Sequence, residues 1–383
     1  MAPRHALAER RRACGLSQER LAELIRVDRS TIVRWESGET SPRPSLRAPL
    51  ARALKMSLDD LSELLNTSEM VPAAVGAKRR DSSQVPSIGE PYVQSIYRRI
   101  ESLLDLDHKM GGKQSAPLAL SAFQSVYARL GRSPVEKNCE RDLYAAASEL
   151  AEVAGWFLYE AAEPAMARQT SHQALTLAQL SGKRDIELLV MQNLAMQEAQ
   201  NGRPMEALFI AQTVLERAPL PPMVEALFRF REALIFAQIG RSSDSRRSLN
   251  MAMSIHSTGG SDSDPKWTWW VDGRQISWFQ GRVESDLGNA SDSVQKLHDA
   301  VALTPPEQTR SRYYHLADLM RVQASFGAWT DAARTASELE EYLGVIGSGL
   351  VHEIFRETLA LATLDRSRSK DVVEMIRDGA KIR

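Results

Sequence analysis

The chain has 383 residues, 48 Lys+Arg against 49 Asp+Glu and 43% hydrophobic residues, the proportions of a globular protein of two or three domains. No run of about 18 apolar residues occurs, which excludes a membrane-spanning helix, and no membrane partner is expected; the opening MAPRHALAERRRACG lacks the apolar stretch of a secretory signal. Only Cys14 and Cys139 are present, so neither a disulfide framework nor a cysteine metal site is expected, and a reducing cytoplasm is the expected location. Residues 1–65 carry 12 Lys+Arg and 9 Asp+Glu, a net of +3, leaving 36 and 40, a net of −4, on the rest. A small basic head on a mildly acidic body suggests nucleic acid at one end.

Apolar residues recur at helical intervals almost throughout, and alternating strand-like runs are scarce. The expected fold is all-α: an N-terminal five-helix domain over 1–65, a flexible Pro/Gly/Ser-containing linker over 66–90, and a helical repeat domain over 91–383. In the head, Ser17 before QERLAEL is placed to cap a helix, with Leu21, Leu24 and Ile25 as its apolar face and small Ala22 leaving room for a crossing helix. Asp28 is placed to cap a second short helix, RSTIVRWES. Its Ile32 and Trp35 face inward, and Gly38 permits the stop. Ser57-Leu-Asp-Asp60 reads as a capping box for a last helix bearing Leu58, Leu61 and Leu65. Two short helices, a tight turn between them and polar residues outward make a helix-turn-helix pattern.

The segment LSQERLAELIRVDRSTIVRWESGETSPRPSL resembles the Cro/lambda-repressor type, or XRE family, of helix-turn-helix domain. The resemblance spans about 60 residues and implies helices near 4–13, 18–25, 29–37, 46–55 and 58–65, with 29–37 as recognition helix on double-stranded DNA. It places a phosphate-clamping role on Gln18, base reading on Arg29, Ser30 and Arg34 with Thr31 beside them, and backbone contacts on Ser37 and Arg43. The residue chemistry agrees, because arginines on an exposed helix face bond guanine O6 and N7 in the major groove, while amides and hydroxyls suit phosphate oxygens. Three positions depart from the family pattern. Arg26 stands where a turn Gly is usual, Trp35 is larger than the usual aliphatic residue, and Pro49 is expected to delay or kink the fourth helix.

The body repeats on small residues. Ala162, Gly202, Gly240, Gly288 and Gly327 each have a small residue five further on: Ala167, Ala207, Ser245, Ser293 and Ala332. Seven residues before them lie Gly155, Ala195, Ala233, Gly281 and Met320, and twelve after lie Ala174, Val214, Ala252, Ala300 and Leu339. Small residues so spaced let two antiparallel helices approach closely, with the anchor in the turn between them. The arrangement resembles a degenerate tetratricopeptide (TPR) repeat, in five units over roughly 147–345, with helices at 92–130 and 350–380 capping the stack. The segment SIHSTGGSDSDPKWTWW reads as a long loop between units. The resemblance implies a superhelix lined inside by the first helix of each pair. Counting back from the anchors puts Trp156, Gln192, Asn193, Met196, Gln200, Arg231, Gln238, Trp278, Arg282, Tyr314 and Arg321 on that face. Of these, Gln192, Asn193, Gln200, Arg231, Gln238, Trp278, Arg282, Tyr314 and Arg321 form a candidate ligand set: amides suit a peptide backbone, and arginines suit a carboxylate or other anion.

No GxxxxGK[ST], HExxH or GxSxG motif occurs, the seven histidines lack metal-ligand spacing, and no enzyme activity, metal or cofactor is expected. The layout resembles the peptide-responsive RRNPP regulators and the actinobacterial XRE–TPR regulators. That resemblance implies a homodimeric bacterial transcription regulator, its heads on half-sites ~34–36 Å apart and its body open to a signalling peptide or small molecule. The alternative is a TPR adaptor that sequesters a partner protein and binds DNA weakly or without sequence preference.

Overall fold

Helical apolar spacing becomes helix wherever the computed structural model describes the chain: residues 5–25, 27–37, 40, 42, 44–56, 60, 61, 65, 87–364, 373 and 374. Extended pairing among these residues is limited to an isolated parallel bridge between Ile88 and Val135. The contacts divide the chain into two units, 1–86 and 87–383.

In the first unit, helices α1 (His5–Ala13), α2 (Gln18–Ile25), α3 (Arg29–Glu36) and α4 (Pro44–Ala53) enclose Leu7, Leu21, Ala22, Ile25, Ile32, Trp35, Leu50 and Leu54. Ser17 caps α2 as its position predicts, accepting from the Arg20 N–H at 3.1 Å. Asp28 does not cap α3 with its side chain. Its backbone carbonyl takes the Thr31 N–H at 2.9 Å instead. Leu24 is 50% exposed rather than part of the inner face, because Leu21, Ala22 and Ile25 already fill the contact with α3 and α4. Pro49 neither delays α4 nor ends it: the helix begins early, with Pro44 in its first position, where the missing N–H costs nothing. The carbonyl of Leu54, beyond the end of α4, accepts from Arg10 Nε at 2.9 Å and from Cys14 Sγ, which ties α1 to α4. Arg26, Gly38, Arg43 and the proposed box at 57–59 lie outside the described residues. Of the fifth helix, only helical residues 60, 61 and 65 are described, with Leu61 and Leu65 buried.

The second unit starts before residue 91. Ile88 is fully buried, its N–H donating to Pro134 and its carbonyl accepting from Glu136, so 87–90 belong to the body; residues 66–86 lie outside the described set. A first hairpin, α5 (Glu90–Met110) and α6 (Gly112–Leu130), precedes five helix pairs: α7 (Glu140–Glu160) with α8 (Pro164–Ser181), α9 (Arg184–Gln200) with α10 (Pro204–Arg217), α11 (Pro222–Gln238) with α12 (Ser242–Ser257), α13 (Gly273–Asp286) with α14 (Ala290–Ala302), and α15 (Thr309–Ser325) with α16 (Trp329–Leu339). Helix α17 (Gly349–Leu364) follows.

The small-residue register is the pairing code. Each pair turns on a left-handed residue, Ala162 at φ 60° and Gly202, Gly240, Gly288 and Gly327 at 74° to 83°, a conformation that glycine adopts without strain. The residues five beyond (Ala167, Ala207, Ser245, Ser293, Ala332) are all fully buried. They meet the residues seven before the turn: Ser245 Oγ donates to the Ala233 carbonyl at 2.8 Å and Ser293 Oγ to Gly281 at 2.7 Å. A Cβ on Gly281 would stand 2.7 Å from Leu297 Cγ, so the α13–α14 crossing needs glycine there. The long connection expected in the 48-residue interval is residues 258–272, with a short 3-10 helix at Lys266–Trp270. Asp264 in it accepts the Met223 N–H at the start of α11, and Trp267 Nε1 donates to the Asp185 carbonyl.

Successive first helices α7, α9, α11 and α13 pack on one another directly, and no comparable packing joins successive second helices among the described residues. The stack therefore curves with first helices inside. The curve closes within the body. Gly347 N–H donates to the Met110 carbonyl and accepts at its own carbonyl from Lys113, both at 3.1 Å, and Gly349 lies against Ala161 so closely that a Cβ would overlap the backbone. Helix α17 thus meets the start of the stack at α7, and Gly347 just before it meets the α5–α6 turn.

Candidate nucleic-acid interface and repeat-domain interior

Helix α3 separates its residues by chemistry. Ile32 and Trp35 are buried against α1, α2 and α4, which leaves Arg29, Ser30 and Arg34 exposed on the opposite side, with Thr31 half-buried at the edge. Arg29 Nε meets Glu19 Oε1 at 2.7 Å, both side chains more than half exposed. Solvent screens so exposed a pair, and it yields readily to a stronger acceptor. Ser37 closes the helix, its hydroxyl donating to the Arg34 carbonyl at 3.1 Å. Gln18 is held differently from expectation: its amide N–H donates to Glu36 Oε2 at 2.7 Å, and Glu36 also takes Arg11 Nε at 2.6 Å. Glu36 thereby locks α1, α2 and α3 together, and the Gln18 amide spends one of its two N–H donors on it.

The body's interior gathers four of the nine ligand-set residues around a carboxylate that the sequence reading passed over. Asp318, fully buried on α15, accepts from Trp278 Nε1 at 2.9 Å, Arg282 Nη1 at 2.9 Å and Arg321 Nη2 at 2.7 Å. Burial alone would raise its pKa, but Arg282, then Arg321, and the bonds from Arg321 and Trp278 outweigh that and hold it down to about 2. Tyr314 stands beside Trp278, ring centroids 6.1 Å apart.

A second chain runs Glu152–Asn193–Gln192–Arg231. Asn193 Nδ2 donates to Glu152 Oε1, Gln192 Nε2 to Asn193 Oδ1 at 2.7 Å, and Arg231 Nη2 to Gln192 Oε1 at 3.1 Å. Burial, reinforced by nearby Glu149, pushes the Glu152 carboxyl up to about 8 despite its bond from Asn193. The Arg231 guanidinium lies 5.2 Å from the Phe279 ring centroid, and Phe279 stacks on Phe230 at 4.9 Å. Burial pushes Arg231 down to about 10 although the Tyr159 and Tyr314 phenols favour its charge. The remaining two, Gln200 and Gln238, are the exposed last residues of α9 and α11 and do not join either cluster. Trp156 is half-buried under Arg310, which bridges Asp107 and Glu160 across α5, α7 and α15. Met196 is core.

The repeat register would have found Asp318. Asn193, Arg231 and Asp318 each lie nine residues before their turn residue, as does Phe279. Tyr159 and Arg310 carried no such signal, because they converge only where the stack closes. On the outer side, an open cleft of about 440 Å³ is lined by Tyr127, Arg168, Gln169 and His172, but Arg168 is already committed to Glu198 and Glu206. Among the described residues no group of His, Cys, Asp or Glu could hold a metal, and no helix is long and apolar enough to cross a membrane.

No curated protein matches the chain. Solved structures similar to it include PlcR of Bacillus thuringiensis in complex with the peptide PapR7 and DNA, at 14% identity over 85% of this chain and 97% of that one, with a TM-score of 0.35. A single-residue mutant of PrgX is similar at 12% identity over 85% and 95%, also with a TM-score of 0.35. Likeness at that level assigns no residue here a role. The head is matched more directly: residues 7–61 fit the family model described as helix-turn-helix. With α2 packed on α3 and the polar side of α3 facing solvent, residues 7–61 are a helix-turn-helix domain.

Proposed function

We propose that the chain is a sequence-specific DNA-binding transcription regulator. In this reading α3 enters the major groove, Arg29 and Arg34 bond guanine edges, and Ser30 and Thr31 line the approach. Ser37, Arg43 and the second amide N–H of Gln18 take phosphates. The observation that carries the reading is the division of α3 in a domain of the helix-turn-helix family: buried Ile32 and Trp35 leave two arginines and a serine exposed together. The repeat domain dimerises the chain and houses a sensor site, since one small head makes too few contacts for a unique promoter site. The test is selection of DNA fragments by the purified full chain at physiological salt, beside Arg29→Ala/Arg34→Ala. Enrichment of a two-half-site motif, lost in the variant, is the expected result. Salt-labile binding without sequence preference, equal in both proteins, would overturn it in favour of the adaptor.

A further inference from the structure

We propose that the interior of the repeat domain at Arg231 is a binding site for a compact carboxylate ligand, with the Arg231 guanidinium as its principal partner. Three described arginines are less than a tenth exposed. Arg11 pairs with Glu36 and Arg274 with Asp272, but Arg231, 5% exposed, has no carboxylate partner among the described residues and its Nε no acceptor among them. Among the described residues its side chain bonds the neutral amide of Gln192. The acid at the far end of that chain, Glu152, is two amides away and largely protonated at neutral pH, so it supplies no counter-charge. A buried cation without a counter-ion is strongly disfavoured, and an arriving anion removes that penalty.

The surroundings specify the anion. The Arg231 guanidinium lies over the Phe279 ring, itself stacked on Phe230, and its Nε–H edge offers the donors that suit a carboxylate. Tyr159 and Tyr314 lie within electrostatic range of the same group. Beyond them Arg282 and Arg321 are balanced by Asp318, with Asp286 and Glu357 also near, so the positive charge still to be balanced in this interior is that of Arg231 itself. Tyr314, Arg282 and Arg321 keep partial exposure, which leaves a way in. Closure of the stack at Gly347 and Gly349, and the aromatic rings on the inner face, favour a compact occupant over an extended chain lying along the axis.

This inference rests on the reading of the repeat domain as the sensor, and its test is run without DNA so that the two fail separately. Calorimetry and thermal unfolding of the full chain use benzoate as the compact acid, benzamide as its neutral counterpart, inorganic phosphate, and acetyl-Leu-Leu as free acid and as amide. Benzoate is expected to bind and raise the unfolding midpoint while benzamide and phosphate do not. Binding of the free-acid peptide but not its amide would instead identify a peptide terminus as the source of the same carboxylate. Arg231→Met is expected to weaken carboxylate binding at least about tenfold and to leave the ligand-free midpoint unchanged or higher. Arg231→Lys, which keeps the charge but not the guanidinium, folds and also weakens binding. Failure of every carboxylate to bind, binding of phosphate alone, or a ligand-free midpoint lowered by Arg231→Met would overturn the proposal.

Discussion

Asp318→Asn tests how the interior is held together. The substitution keeps shape and one acceptor but removes the charge shared by Arg282 and Arg321, leaving these two largely buried guanidiniums only Asp286 nearby and, for Arg321, Glu357 at 3.9 Å. A carboxyl held at about 2 rather than 3.8 contributes roughly 2 kcal/mol at neutral pH. Breaking a buried pair from one side costs about 3–5 kcal/mol. A loss of about 3 kcal/mol, or roughly 6–12 °C in midpoint for a body of this size, is therefore expected. The pH dependence has a definite sign. The folded carboxyl titrates below its unfolded value, so its contribution is complete above about pH 4 and is lost as pH falls toward 2. Urea unfolding of wild type and variant at pH 7 and pH 2.5 should show a gap that shrinks in acid. Adding Arg282→Met should recover part of the loss, since it removes one of the two cations. A gap below about 1 kcal/mol, or one equal at both pH values, would refute the assignment.

Three further outcomes are expected. Gly281→Ala pushes a methyl to within 2.7 Å of Leu297 Cγ and should cost about 1–3 kcal/mol in urea unfolding, whereas Gly240→Ala, with open space around its turn, should cost about 1 kcal/mol through φ strain alone. His315, buried and held down to about 4 first by burial and then by Arg274, is neutral in the fold; stability should fall by roughly 3 kcal/mol between pH 6.5 and 4, and His315→Gln should flatten that slope. Glu19→Ala frees Arg29 and removes a repelled charge beside DNA, so it should tighten binding about two- to fivefold in an anisotropy titration, while Arg34→Ala should weaken it by about 1–3 kcal/mol and relax one base position.

Much of the scaffold was legible because its rules are local. The helix-pair register follows from small residues at fixed offsets, and every anchor from Ala162 to Gly327 proved to be the left-handed turn residue. The buried side of α3 followed from the spacing of Ile32 and Trp35. What the sequence hid depends on distant partners. Glu36 captures Gln18 across 18 residues, and whether a polar residue nine before a turn ends in solvent or in a cluster depends on curvature, which arises from a small rotation per repeat. Closure of the stack brings Arg310 to Asp107, 203 positions away, and no spacing rule reaches that far. The same closure turned an expected open groove into a largely filled interior, with Gln192 and Asn193 as structural links and Arg231 left uncompensated.

The most direct test of the central claim is an anisotropy titration of the full chain on its best selected duplex and on a shuffled copy, at several salt concentrations, beside Arg34→Ala. A regulator reading bases through α3 should prefer the selected duplex by at least about a thousandfold at physiological salt, and Arg34→Ala should cut that preference by about ten- to a hundredfold with little change on the shuffled copy. Equal affinity for both duplexes, abolished by salt and indifferent to Arg34, would contradict it.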